Sequence, residues 1–185
     1  TGMGVSYCAT CDGPFFKNRK VVVIGGGDSA CDEATYLATL ASEVTIIHRK
    51  SSLRAQKAVA DKVLNNPKIK VIFNTVVKEI KGKYKVDELV LENTETKEES
   101  TLQADGVFIF IGMIPQTDLV EMLPKDEGGY IKTNENMETA IKGMYCVGDI
   151  RSKLFRQVVT ATSDGATAAF SAGLYIRELK NEVYK

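Results

Sequence analysis

Lys20-Val21-Val22-Val23-Ile24-Gly25-Gly26-Gly27-Asp28-Ser29-Ala30 is the stretch that decides the fold. Its first half is a short apolar run of β-branched residues, the composition of a strand buried on both faces of a parallel sheet. Its second half fits G-x-G-x-x-A. Gly25 permits the tight turn, Gly27 lets the backbone approach a pyrophosphate, and Ala30 lets helix and strand pack closely. Ala34, Leu37, Ala38 and Ala41 then recur at helical spacing, and Glu43-Val44-Thr45-Ile46-Ile47-His48 reads as a second strand. The whole is a βαβ unit of about thirty residues, the size of a mononucleotide-binding half. The helix N-terminus offers free N–H groups and the positive dipole end to an anion, with Asp28 and Ser29 in the turn that faces it.

The end of the second strand selects the nucleotide. NAD sites usually carry Asp or Glu about twenty residues after the glycines, bonded to the ribose 2′-hydroxyl. Here the chain reads His48-Arg49-Lys50-Ser51-Ser52-Leu53-Arg54, with no acid. Arg49, Lys50 and Arg54, with two hydroxyls, suit a 2′-phosphate, and arginine offers a planar fork of donors. NADP(H) is therefore favoured over NAD(H). His48, flanked by cations, is a poor metal ligand and base; it stacks or bonds at the nucleotide phosphate, or caps the strand.

Fourteen residues before Gly25 ends a second motif, Cys8-Ala9-Thr10-Cys11, followed by Asp12-Gly13. Two cysteines at this spacing can close a small disulfide ring, and the Asp12 carboxylate can move protons as it opens, which makes the pair a candidate two-electron redox switch. Zinc is the competing reading, but a structural site needs four ligands, and the chain has one histidine and no second CxxC. No metal is expected. Cys31 and Cys146 fall inside regular patterns and read as small core residues. Tyr7 either covers the disulfide or packs ordinarily.

Beyond the βαβ unit, residues 54–65 read as a helix with Ala55, Val59, Val63 and Leu64 inward, stopped by Asn66-Pro67, and Val71–Phe73 as a strand. Residues 76–80 and 86–93 read as an antiparallel meander inserted into the parallel sheet, and residues 104–111 as a further strand. A domain boundary is expected near residues 111–115. After it, Tyr130–Lys132 and Met144–Val147 read as short strands. Residues 158–180 read as a long helix of small and apolar residues, whose Gly165 and Gly173 imply close packing.

Lys plus Arg and Asp plus Glu number 24 each, so the basic surplus that nucleic acid or an anionic membrane selects is absent. No apolar run reaches the length of a membrane span, and the start lacks a signal-peptide pattern. A cytoplasmic location follows as the expectation.

Taken together, Cys8-Ala9-Thr10-Cys11-Asp12-Gly13, Gly25–Ala30, His48-Arg49-Lys50 with Arg54, and Val147-Gly148-Asp149 resemble the low-molecular-weight, bacterial-type thioredoxin reductases, in order and spacing along essentially the whole chain. The resemblance implies an α/β fold. Residues 1–112 would be a three-layer Rossmann-like NAD(P)-binding domain with an antiparallel meander and the CxxC. Residues 113–185 would be the carboxyl-terminal part of an FAD-binding domain. It implies an enzyme with FAD and NADPH as cofactors and thioredoxin as partner, working as a homodimer. Cys11 would face the flavin, Cys8 would attack the thioredoxin disulfide, and Asp12 would be the acid/base. Gly148 and Asp149 would meet the ribityl chain, and Arg156, Gln157 and Val158 would lie along the flavin ring. Gly4 and Gly112 would be hinges between domains.

Two departures stand out. Lys50 replaces a second arginine common in the family, which softens NADPH preference. The family's first strand-GxGxxG-helix, which grips FAD, is not in these 185 residues. The chain is thus expected to be part of a longer enzyme, binding FAD poorly and lacking reductase activity alone, with residues from about 113 onward poorly supported. The flavoprotein subunit of alkyl hydroperoxide reductase is the nearest enzyme alternative, disfavoured by Ala9-Thr10 and the basic turn. A non-catalytic nucleotide-binding or thiol-sensing module is the other.

Overall fold

In the computed structural model, which describes residues 2–181, the chain divides at Gly112/Met113 into two units. The first runs β1 (Val5–Ser6), α1 (Ala9–Asp12), a 3-10 turn (Gly13–Phe16), β2 (Lys20–Gly25), α2 (Asp28–Leu40), β3 (Glu43–Ile47), α3 (Lys57–Leu64), β4 (Ile69–Ile72), β5 (Thr75–Lys81), β6 (Glu88–Asn93), β7 (Glu99–Gln103) and β8 (Gly106–Phe110). Five strands form a parallel sheet in the order β1-β8-β2-β3-β4. The other three form an antiparallel sheet of their own, β5-β6-β7. The meander is thus inserted in the chain between β4 and β8, but it does not join the parallel ladder.

Strand periodicity shows why. Successive side chains point to opposite faces of a strand. Val21 and Val23 of β2, with Val44 and Ile46 of β3 and Phe108 of β8, meet Ala30, Cys31, Ala34 and Leu37 of α2 and Val63 of α3. Val22, Ile47 and Val107, on the other face, meet Leu89 and Leu91 of β6, with Val86 and Ala104. One face of the parallel sheet is therefore covered by helices and the other by the antiparallel sheet, the α/β three-layer arrangement. Each fully buried Val or Leu in these layers contributes roughly 1.5–3 kcal/mol.

Several boundaries differ from the sequence expectation. Helix α3 begins at Lys57 rather than Arg54, because Arg54–Gln56 is held against the glycine loop: the Arg54 N–H donates to Gly26 O (2.6 Å) and the Gln56 N–H to Asp28 Oδ1 (2.7 Å). Leu64, expected inside, is 56% exposed at the last residue of α3, while Val63 takes the core position. The fourth parallel strand lies at Ile69–Ile72, in register with Val44–Ile47 of β3. Strands β1 and β7 were not anticipated.

The second unit holds two 3-10 turns (Asp118–Val120 and Gly148–Ile150) and α4 (Val158–Leu179). Its small core is Leu123, Ile131 and Cys146. Tyr130–Lys132 and Met144–Val147 are not strands. They make isolated bridges, Lys125 to Ile131, Ile131 to Arg151 and Glu138 to Tyr145, since no continuous partner lies beside them among the described residues. Gly165 and Gly173 were expected in close contacts, yet a Cβ at either would have nothing within 4 Å. On the same helix Val158 is 83% and Phe170 70% exposed. No helix of the described residues is long and apolar enough to cross a membrane.

Candidate functional site

β1, β2 and β3 run parallel, so the segments that follow them leave the sheet at the same edge, the carboxyl ends where open α/β sheets bind ligands. After β1 comes the CxxC, after β2 the glycine loop, after β3 the basic turn.

Cys8 and Cys11 are disulfide-bonded, their Cα atoms 5.3 Å apart. Cys8 is half-buried and Cys11 exposed. The Cys11 N–H donates to Cys8 Sγ at 3.1 Å, and buried Ser6 accepts the Cys8 N–H at its Oγ (3.1 Å) while donating to Cys8 O (3.2 Å). Asp12 follows at the end of α1, half-buried. The turn that carries it is anchored by Phe16, whose ring meets Phe108 edge to face at 5.2 Å. Tyr7 is 57% exposed beside the disulfide and does not bury it.

The glycine loop behaves as its motif requires. Gly25 has φ +151°, and a Cβ there would stand 2.4 Å from Phe110 O and 2.7 Å from the Ala30 Cβ. Gly27 would have nothing within 4 Å, which leaves open space beside the N-terminus of α2. Gly26, which the motif leaves free, is constrained instead by His48: an added Cβ would lie 2.3 Å from its Nδ1. His48 is 5% exposed, and its Nε2 has no hydrogen-bond partner among the described residues. Burial lowers its pKa below the ordinary value, with Arg54 and Arg49 pushing the same way, against the backbone groups of Ser52 and Gly25.

Gly25, Gly26, His48, Arg49 and Arg54 line one cleft of about 640 Å³, whose wall also includes Ile24, Phe110 and residues 75–80. Gly27, Asp28, Ser29, Ala30 and Lys50 do not line it, and neither do Cys8, Cys11 and Asp12. Ala30 is a packing residue, 1% exposed beneath Gly25. Arg49, Lys50 and Arg54 are exposed, and no ion pair joins them to a carboxylate among the described residues. A cleft lined by the first two glycines of the motif and by Arg49 and Arg54, neither of them in an ion pair among the described residues, fits an anionic nucleotide.

In the second unit Gly148, Asp149, Arg156, Gln157 and Val158 share one loop entering α4. Gly148 has φ +77°, and its N–H donates to Asp164 Oδ2 at 3.0 Å. Asp149 is exposed; its carbonyl accepts from Arg156 Nε at 3.1 Å, and the Arg156 guanidinium lies 3.8 Å from the Tyr130 ring centroid. Gln157 caps α4 reciprocally with Thr160. The loop's shape depends on Asp164, which the sequence reading passed over. Arg151 Nη1 and Lys153 Nζ each reach its carboxylate at 2.9 Å, all three side chains being largely buried. Burial raises the Asp164 pKa, but Lys153, the Gly148 N–H and Arg151 outweigh it and hold the group below the ordinary carboxylate value. The available signal was an acid at 164 spaced four and seven residues from Ala168 and Ser171, the buried stripe of α4. Ser6, which acts through its hydroxyl, and Gly26 and Gln56, which act through backbone geometry, were also missed; no motif records these roles.

The parallel sheet carries a nucleotide-type glycine loop and a disulfide at its carboxyl edge. The chain belongs to the pyridine nucleotide-disulphide oxidoreductase family, whose profile matches residues 1–165. It is 53% identical over 180 residues to a thioredoxin reductase of Treponema pallidum (strain Nichols), covering 97% of this chain and 59% of that protein. It is 50% identical over 181 residues to that of Bacillus subtilis (strain 168), covering 97% and 57%. Among solved structures, thioredoxin reductase from Streptococcus pyogenes MGAS5005 superposes with a TM-score of 0.90 at 44% identity, over 95% of this chain and 58% of that one. The Giardia duodenalis enzyme gives 0.83 at 36%, over 94% and 58%. The chain therefore spans somewhat over half the length of these relatives.

Proposed function

We propose that this chain is the nucleotide- and dithiol-bearing part of an NADPH-dependent, FAD-containing thioredoxin reductase. The observation that carries the reading is the Cys8–Cys11 disulfide, open to solvent at Cys11, in the same unit as a glycine loop and an uncompensated basic turn. Arg49, Arg54 and Lys50 supply the charges for a 2′-phosphate, and the open side of Gly27 admits the pyrophosphate. NADPH and FAD, when bound, supply the two electrons that reopen the disulfide. The chain's residues do the rest. With the dithiol reduced, the backbone N–H of Cys11 is aimed at Cys8 Sγ and favours negative charge there. The Cys8 thiolate attacks one sulfur of the thioredoxin disulfide, and the other leaves as a thiolate that takes a proton from Asp12. The Cys11 thiolate then attacks Cys8 Sγ, restores the disulfide and releases the second thioredoxin sulfur as a thiolate, which takes its proton from water.

In the second unit, the Gly148–Val158 loop, held by Asp164, is the contact to FAD in this reading. The exposed α4 face at Val158 and Phe170 supports a further contribution to that site from beyond residues 113–181. These 185 residues purified alone retain little flavin and turn over no thioredoxin. A homodimer and a cytoplasmic, reducing location complete the proposal, as the family resemblance of the motifs implies.

The test is NADPH-dependent reduction of thioredoxin by the full-length protein, with Cys8→Ser and Cys11→Ser. Both substitutions abolish turnover while leaving NADPH binding intact. Activity surviving either one refutes the dithiol mechanism, and a preference for NADH refutes the reading of the basic turn.

A further inference from the structure

The basic turn is a strap of nine residues, His48–Gln56, and its two ends are anchored differently. At the near end the ladder continues: the His48 N–H donates to Ile72 O (2.9 Å), the Thr75 N–H to His48 O (3.0 Å) and the Asn74 N–H to Lys50 O (3.1 Å). At the far end the strap crosses to the glycine loop. The Arg54 N–H donates to Gly26 O, and two residues on, where a strand pair would offer another carbonyl, the Gln56 N–H donates to the carboxylate of Asp28 at 2.7 Å.

Asp28 had the position of a cofactor contact. A carboxylate in a pyrophosphate loop repels the ligand unless it is turned elsewhere. As the first residue of α2 it also suits the helix dipole, but that role places no demand on residue 56. The bond to Gln56 does. It closes the far end of the strap onto the loop, so that Arg54, two residues away, stands beside Gly26 and His48 in the same cleft.

We infer that Asp28 is a positioning residue for 2′-phosphate recognition: its carboxylate, bonded to the Gln56 N–H, fixes the cationic strap against the glycine loop. The inference rests on the nucleotide reading above and deepens it. Asp28 spends its Oδ1 on the Gln56 N–H. It sets where Arg54 and its neighbours can meet a phosphate.

Calorimetric titration of the 185-residue chain with 2′,5′-ADP and with 5′-AMP isolates the contribution of the 2′-phosphate. Asp28→Ala weakens 2′,5′-ADP about tenfold, the scale of one charge-assisted hydrogen bond, and leaves 5′-AMP within about twofold. Asp28→Asn, which keeps an accepting oxygen, retains the preference. Gln56→Pro removes the donor from the other side without touching the glycine loop. Gln56 already has φ −54°, a value proline adopts, so the variant keeps the fold and reproduces the Asp28→Ala loss. Undiminished preference for 2′,5′-ADP in Asp28→Ala or Gln56→Pro overturns the inference and leaves the nucleotide reading standing. Equal weakening of both ligands also overturns it, as a general loss of the loop. A wild-type chain that binds the two ligands equally overturns the NADPH reading and this inference with it.

Discussion

Gly26→Ala is the sharpest perturbation of the nucleotide loop, because its cost comes from a single neighbour. Gly26 is not among the glycines with positive φ, so alanine meets no backbone strain there. Its methyl would stand 2.3 Å from His48 Nδ1, 2.4 Å from Cε1 and 2.5 Å from Cγ. Non-bonded carbons rest about 3.5–4.0 Å apart, so ring or loop must yield by about 1 Å. The ring is 5% exposed, so moving it disturbs packed neighbours. Overpacking of this kind costs about 1–3 kcal/mol. If the loop yields instead, the Arg54-to-Gly26 bond is lost, about 1 kcal/mol more. We therefore expect about 2–3 kcal/mol of destabilisation, confined to the first unit. Native-state amide exchange at Val22 and Ile46, in the core strands, reads this as exchange faster by about 30- to 150-fold. Removing the ring relieves the clash, so Gly26→Ala costs much less in a His48→Ala background than in the wild type. Destabilisation below about 0.5 kcal/mol, or strict additivity of the two changes, would refute the steric account.

Asp164→Ala leaves Arg151 and Lys153 buried without a counter-charge and destabilises the second unit by about 3–5 kcal/mol, measured by exchange along α4. Because the folded pKa of Asp164 is depressed, its stabilisation is full above the unfolded value of about 4 and fades as pH falls through the lower folded value. Asp164→Asn flattens that acid limb in a stability-versus-pH series. Lys68 Nζ donates to Ala38 O and Ala41 O at the end of α2, so Lys68→Met destabilises the first unit by about 1 kcal/mol in the same exchange assay. Thiol titration distinguishes the cysteines. Burial, with Asp28 and Asp32 adding to it, pushes Cys31 up to about 11, and burial raises Cys146 as well. After reduction at pH 8, Cys8 and Cys11 react promptly, and Cys31 and Cys146 wait for unfolding.

The parallel core was legible because its signals are local and redundant. Val21–Ile24 and Val44–Ile47 are β-branched runs that any burial on two faces would select, and Gly25 and Ala30 meet in a contact the motif implies. β1 was not legible, since Val5–Ser6 is too short for a pattern and its strand character comes entirely from β8 beside it. β7 was missed because Glu99–Gln103 is a polar edge strand whose partner, not its composition, makes it extended. The reading of α3 took in Arg54–Gln56 because helical spacing says nothing of a competing carboxylate twenty-eight residues earlier. In the second unit, Tyr130–Lys132 and Met144–Val147 have strand composition but no ladder within the described residues, and strand character needs one. The site was legible where a motif names it. Gly26, Gln56 and Asp164 act across distances that a linear pattern does not span, and Ser6 acts through a local hydroxyl bond to Cys8 that no motif marks.

The disulfide and the nucleotide loop leave one edge of one sheet on strands of unequal stiffness. β2 is clamped on both sides, with five paired residues to β3 and five to β8. β1 is a terminal strand with two paired residues on one side only. Displacing the CxxC segment sacrifices little hydrogen bonding, whereas displacing the glycine loop would tear the centre of the sheet. The disulfide thus follows a strand with few ladder bonds and the glycine loop one clamped from both sides, so side-chain packing, through buried Ala9 between the cysteines and Phe16 against Phe108, carries most of the anchoring of the CxxC turn.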